Sequence, residues 1–409
     1  MTLGEACAAH ARSLLVVGVA ALLLSGCRKR PTYHDDIAPI LARRCVVCHS
    51  QNGVARLPTL ETYEQVLAAA GKIRRAVQGR DMPPWGADDT GLCRKWKGAL
   101  WLNDEELQTI VKWTEGDKPA GDRAKAPALP APPHFDHNGP TLDIGSDYRP
   151  GIGTLAYRCF LVDPGLDRDR LVSAFRVAST EPRSVAQITL YALAAGAEAR
   201  AVALDREDAV PGFVCYGASR VPESRLVMSW TWDSPVLRLP EKTGIRLRAR
   251  EKLVMQVHYD PIATGTNVPT HTRIELELDD GAREASFWTV SPESLSLPPG
   301  RALVEASVEV DVKEARTVLG VAPRMHTLGK TMQLDRVQDG KSECLANFDH
   351  WHFYRQRFFE YASPLVLKAG EKLRVSCVYN TQNSAEPVVM GERILDEQCL
   401  ASLLVLGGP

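Results

Sequence analysis

The chain has 409 residues, 24% of them charged and 44% hydrophobic, a length that at roughly 100–200 residues per domain implies several domains. Lys plus Arg number 49 against 50 Asp plus Glu, a formal net charge of −1, which excludes nucleic acid as the main partner because that role needs a basic surface. With 30 Gly and 27 Pro the chain is neither collagen-like nor one long disordered tract, and only its N-terminus holds a stretch apolar enough to concern a membrane.

That stretch, Leu14 to Leu24, is uncharged, too short to span a bilayer and of the right length for a signal-peptide core. It ends in Leu24-Ser25-Gly26-Cys27, which resembles a bacterial lipobox. Residues 1–26 are therefore expected to be a lipoprotein signal peptide and Cys27 the lipidated residue, with Arg28, Lys29 and Arg30 as a short basic flank toward anionic headgroups. No Asp follows Cys27, so by resemblance to Gram-negative sorting the expected location is the cell envelope, facing the periplasm, on the outer membrane ahead of the inner. That compartment is oxidising. Cys93, Cys159, Cys215, Cys344, Cys377 and Cys399 form an even set, so up to three disulfides are expected, with connectivity left open.

Residues 31–118 form the first module. Cys45-Val46-Val47-Cys48-His49 is a C-x-x-C-H motif, the attachment signature of c-type haem. Two thiols add to the haem vinyl groups, and the next residue offers an imidazole to iron. A redox C-x-x-C would need a thioredoxin-like context, and a zinc site would need a second ligand pair nearby; neither accompanies the motif. Ile37, Ile40 and Leu41 predict a helix before the motif, and Asn103 to Trp113 a second, with Asn103 as N-cap and Glu106 at N3. Between them lies Asp81-Met82-Pro83-Pro84-Trp85. Met82 is the only Met from residue 2 to residue 227, so it is the candidate thioether ligand, with His34 as rival. The segment resembles a class I cytochrome c, which implies an all-α domain, haem c, electron transfer and a periplasmic redox partner.

Residues 119–140 are rich in Pro, Ala, Gly and Asp and read as a linker, with His134 and His137 solvated. Beyond them, short alternating runs with turn signals predict two tandem antiparallel β-sandwich domains, 141–282 and 283–409. The clearest runs are Gln187 to Tyr191, Leu253 to Tyr259, Ala302 to Val312 and Leu373 to Tyr379, and the turn-rich stretch Asp279 to Gly300 marks the boundary.

Four motifs occur there in order: Gln256-Val257-His258-Tyr259, Met325-His326-Thr327-Leu328-Gly329-Lys330, Cys377-Val378-Tyr379-Asn380 and Asp396-Glu397-Gln398-Cys399. Together the set resembles the copper type II, ascorbate-dependent monooxygenases, some bacterial members of which carry a fused cytochrome c with the same Met-Pro-Pro-Trp loop. The resemblance implies jelly-roll-like sandwiches with a copper site on each. It implies a His-His pair plus the His of the Gln-Val-His strand for the first copper; the stretch matching the pair reads Val185-Ala186-Gln187-Ile188, leaving His258. For the second it implies His-x-His and a Met before Cys; those positions hold Arg324, His326 and Gln398. One imidazole per copper does not chelate, and the Arg324 charge opposes a cation. His258 and His326 are thus residual copper-ligand positions, expected to serve as hydrogen-bonded sheet histidines. His350-Trp351-His352 on a strand would present both imidazoles on one face and is the one candidate for a rebuilt metal site. The resemblance also pairs Cys377 with Cys399 and offers Cys159 with Cys215. It leaves Cys93 and Cys344 unassigned; a bridge between them would tie the first module to the last sandwich.

Three functions compete. The first is an exported, lipid-anchored haem c electron carrier fused to a degenerate monooxygenase-like module. The second is a working copper- and O2-dependent monooxygenase fed by its own haem. The third is a non-redox binding lipoprotein. No Ser/His/Asp or paired-carboxylate arrangement suggests other catalysis, so the catalytic set is empty.

Overall fold

The computed structural model describes residues 30–51, 53, 58–131, 133–151, 156–232, 234, 236–260, 268–353, 355–393 and 395–407. Residues 1–26, Cys27, Arg28 and Lys29 lie outside them. Among the described residues no helix is long and apolar enough to cross a membrane.

The N-terminal part is helical. A π-helical turn, Tyr33–Ile37, runs into α1, Ala38–Arg44. Two longer helices follow, α2 (Tyr63–Gln78) and α3 (Asp104–Glu115). Both longer helices start with a reciprocal capping box, Thr62 with Gln65 and Asn103 with Glu106, in which the cap side chain accepts from the N3 amide and the N3 side chain reaches back to the cap amide. The helices bury Ile37, Leu41, Val66, Ala70, Ile73, Ile110 and Trp113 in one core of their own.

The remainder is mostly strand. One long sheet runs in the order Thr141–Asp143, Thr272–Leu278, Arg170–Ser179, Thr243–Leu247, Arg283–Val290, Leu400–Leu406, Arg316–Arg324 and Phe359–Leu367, with Val236–Arg238 also paired to Arg170–Ser179. Two smaller sheets cover it. In the N-terminal half these are Phe213–Val214, Ala156–Val162, Leu253–Tyr259, Val185–Ala192 and Arg225–Thr231; in the C-terminal half, Val304–Asp311, Lys372–Tyr379, Gly329–Gln338 and Lys341–Phe348. Each covering sheet encloses a core. Phe175, Ile274, Ile188 and Met255 belong to the first, and Val321, Leu403, Leu334 and Val375 to the second.

The long sheet continues across residue 282. Arg283, Glu284 and Ala285 pair in parallel with Thr243, Gly244 and Ile245, so the two halves share one sheet, and the antiparallel expectation fails at this joint. The physical reason is direction: Thr272–Leu278 and Thr243–Leu247 both run antiparallel to Arg170–Ser179, and the short segment Asp279–Ala282 carries the chain across without reversing it, so Arg283–Val290 lies parallel to Thr243–Leu247.

Strand Leu253–Tyr259 is buried at every position, not at alternate ones. Its second face is covered by α4, Glu198–Glu207, in a satellite core of Val254, Cys159, Cys215, Leu204 and Phe213. Residues 85–97 do not belong to the helical core. Trp85, Ala87 and Trp96 are buried in the core of the C-terminal half, where Trp96 stacks on Tyr361 at 4.8 Å.

Candidate functional site

The cysteine-histidine motif caps α1. The amides of Cys45 and Val46 donate to the Leu41 carbonyl, and those of Cys48 and His49 to the Cys45 carbonyl, so the five residues form one tight turn. Among the described residues the bridges are Cys93–Cys344, Cys159–Cys215 and Cys377–Cys399, and neither Cys45 nor Cys48 belongs to one. Burial, then the neighbouring Cys48 and Glu106, push the Cys45 thiol up to about 12. A redox C-x-x-C depends on a lowered thiol pKa, so this environment opposes that use.

His49 is half-buried, and burial is the main cause lowering its pKa, which keeps the imidazole neutral. Nδ1 lies 2.8 Å from the Pro58 carbonyl oxygen. A carbonyl only accepts, so Nδ1 carries the proton and Nε2 presents a lone pair. Such a bond on the far nitrogen is what orients a metal-binding imidazole. Met82 follows α2, its amide on the Ala76 carbonyl at 3.2 Å. His34, the rival ligand, packs its ring on Tyr33 and Tyr63.

The residual copper-ligand positions meet at the seam between the two halves. His258 is opposite Tyr157 on one neighbouring strand and Gln187 on the other. Cross-strand partners share a face, so the residue beside His258 is Gln187, with buried amide atoms that have no hydrogen-bond partner. The His258 ring stacks on Tyr157 at 4.1 Å, and burial with the Arg324 charge lowers its pKa to about 3. His326 follows strand Arg316–Arg324. Its Nδ1 lies 2.8 Å from the Asp396 carbonyl, and burial lowers its pKa to about 4. Tyr216 contacts His326 edge-on at 4.9 Å and, at 4.9 Å, Tyr157, the ring stacked on His258. Phe353 lies 6.0 Å from His258 and 6.1 Å from His326. Arg324 reaches Tyr191 Oη at 3.5 Å, and the Gln398 side chain donates to the Gly391 carbonyl.

Sequence reasoning did not find this aromatic filling. Nor did it find Glu397, which is fully buried and accepts from the amides of His326 (2.8 Å), Leu328 (2.6 Å) and Gln398 (3.2 Å). Burial raises its carboxyl to about 7 against those bonds. The available signal was its place inside the Asp-Glu-Gln-Cys motif. His350 and His352 do not join His258 or His326. The His350 ring stacks at 5.7 Å on Trp101, which itself packs against the core of the C-terminal half, and among the described residues no group of three or more His, Cys, Asp or Glu is placed to hold a metal ion. His134 and His137 are surface residues, as expected of a linker.

Residues 287–404 match the family model of the copper type II ascorbate-dependent monooxygenase C-terminal domain, so the chain carries a C-terminal domain of that family. Among curated relatives, peptidylglycine alpha-amidating monooxygenase of Rattus norvegicus is 24% identical over 197 residues, 45% of this chain and 20% of that protein. DBH-like monooxygenase protein 1 of Homo sapiens is 24% identical over 222 residues, 47% of this chain and 35% of that protein. The chain thus spans about a fifth to a third of the length of these relatives. Among solved structures, the major capsid protein P2 from Bacteriophage PM2 covers 66% of this chain and 97% of its own at 8% identity, with a TM-score of 0.28, an overlap too loose to bear on function.

Proposed function

We propose that this protein is an exported, lipid-anchored haem c electron carrier whose monooxygenase-like sandwiches no longer bind copper. The observation that carries the reading is the turn Cys45–His49: two thiols outside every disulfide, followed by a neutral imidazole whose Nδ1 is held by Pro58 O so that Nε2 faces outward from that bond. These residues fit haem. Cys45 and Cys48 would bind it through thioether bonds, and His49 and Met82 would be its protein ligands to iron. Haem held by a thioether and an imidazole would supply reversible one-electron exchange at a raised potential.

The copper positions do not fit their metal. Gln187, Arg324 and Gln398 stand where imidazole and thioether are required, Tyr216 lies against His326, and the Phe353 ring is about 6 Å from both His258 and His326. No step is assigned to copper. Lipid attachment at Cys27, the periplasmic face of the envelope and a periplasmic redox partner complete the reading. The three disulfides suit that oxidising compartment.

Metal stoichiometry tests it. The mature protein, made with haem maturation and incubated with copper, is desalted and its iron and copper counted by elemental mass spectrometry. One iron and negligible copper is expected. One iron with two coppers would establish the working monooxygenase instead, and no iron would leave a binding lipoprotein.

A further inference from the structure

The loop that holds Met82 is fixed from two sides. On one side α2 retains it, through the Asp81 and Met82 amides on the Ala76 carbonyl. On the other side it belongs to the C-terminal sandwich. Arg355 Nη1 donates to the Asp81 carbonyl at 3.1 Å. Trp85, three residues after Met82, is buried in the sandwich core with its ring edge-on to Phe359 at 5.0 Å and the Arg357 guanidinium over it. A Cβ at Gly86 would stand 3.0 Å from the His350 carbonyl, so the chain passes against the sandwich backbone there. The Asp88 amide donates to the Asn347 carbonyl at 2.8 Å, and Cys93 is bonded to Cys344.

We infer that the C-terminal sandwich positions the axial methionine, with Trp85 and Arg355 as positioning residues that hold Met82 at the iron. The inference rests on the haem reading above. A thioether is a neutral, weak ligand, and its bond to iron depends on how much loop order must be lost or gained when it forms. Here the sandwich provides that order in advance. This gives a module without copper ligands a direct part in the haem's potential.

The test uses the full mature protein with haem, as parent, Arg355→Ala, Trp85→Ala and Trp85→Phe. Haem content is read from the pyridine haemochrome, methionine ligation from the far-red thioether–iron absorption of the ferric protein, and access to iron from carbon monoxide binding to the ferrous protein. Both alanine variants are expected to keep full haem content, lose or weaken the far-red band and fall in potential. Carbon monoxide should bind about tenfold more tightly, the factor expected from losing one hydrogen bond of a charged donor. Trp85→Phe should restore the parent signals. If Trp85→Ala fails to fold, Arg355→Ala decides alone, since Arg355 is a half-buried side chain outside the core and its Nη1 donates to the Asp81 carbonyl. An unchanged band and potential in Arg355→Ala, or a haem-loaded parent with no far-red band, overturns the inference. A parent without haem overturns the functional reading itself, and the haemochrome distinguishes the two.

Discussion

His49 and His326 are held alike and surrounded differently. In each, Nδ1 lies 2.8 Å from a backbone carbonyl, Pro58 for one and Asp396 for the other, and in each burial is the main cause keeping the ring neutral. Both imidazoles therefore carry the orientation a metal ligand needs. The companions differ. His49 follows two cysteine thiols, whereas His326 has Arg324, Gln398, Tyr216 and Phe353 around it. On the proposed reading, the backbone arrangement that aims a ligand outlasts the loss of its partner ligands. That arrangement also braces the fold: Glu397 ties the His326 and Leu328 amides to the strand that ends the chain, and this bracing is needed with or without metal.

The largest effects should come from exchanging those companions. Replacing both Cys45 and Cys48 by Ala should abolish covalent haem attachment, read as loss of haem staining on a denaturing gel. Retention of covalent haem would remove the basis of the first half of the comparison. In the other direction, R324H together with Q398M should turn the His326 corner into a copper site. The double substitution removes a cation and adds an imidazole and a thioether to an imidazole already aimed. We expect about one copper per chain after desalting, against almost none in the parent. No gain would mean that Tyr216 and Phe353 have closed the corner, and that the aim of His326 serves the fold alone.

What the sequence disclosed was what depends on near neighbours. The Asn103–Glu106 cap and strand Leu253–Tyr259 stand where periodicity and capping chemistry put them. Helix α2 carries the same kind of signal in Thr62, Gln65, Val66, Ala69, Ala70 and Ile73 and was legible by the same rule. Partners distant in the chain were not. Nothing near Trp85 or Trp96 announces that Phe359 and Tyr361 will bury them, and the expected module 31–118 accordingly hid a segment that belongs to the last core. The pairing of Cys93 with Cys344, at a sequence separation of 251, is the covalent form of that contact, and it is the one part of it the cysteine count had raised in advance. Tyr216 and Phe353 were illegible for the same reason, because their role exists only once both halves of the chain have folded.

Acidity offers a smaller and more graded comparison. His258 and His326 bind protons in the unfolded chain near the ordinary histidine value but in the folded chain only near 3 and 4. As pH falls from 6.5, the unfolded state takes up protons that the folded state refuses, so stability is lost. Glu397 acts oppositely. Its folded value of about 7 lies above the ordinary 4.5, so its contribution falls as pH rises between those values. Between pH 4.5 and 6 the two histidines outweigh the one carboxyl. His258→Phe keeps a ring on Tyr157 and removes one titrating group. The pH slope of its unfolding free energy should fall below the parent's by about 1.4 kcal/mol per pH unit, one proton's worth. Urea titrations at pH 4.5, 5.25 and 6 measure it, and parallel slopes would mean that His258 is not held neutral.

The smallest effect isolates the helical side of the comparison. Asn103 Oδ1 accepts from the Glu106 amide at 2.8 Å, and Glu106 answers with a carboxylate oxygen on the Asn103 amide at 3.2 Å. The other carboxylate oxygen of Glu106 receives Arg43 at 3.3 Å and Arg44 at 3.4 Å, from the last turn before Cys45. Asn103→Ala removes one cap bond and leaves Glu106 free to keep its arginines. The expected cost is about 1 kcal/mol, seen as a lower urea midpoint at an unchanged slope, with haem content and spectrum as in the parent. A haem spectrum that moved with the cap would show that Glu106 couples the start of α3 to the Cys45–His49 turn. The ion pairs to Arg43 and Arg44 would then be part of how the thiols are presented, beyond their part in joining α3 to α1.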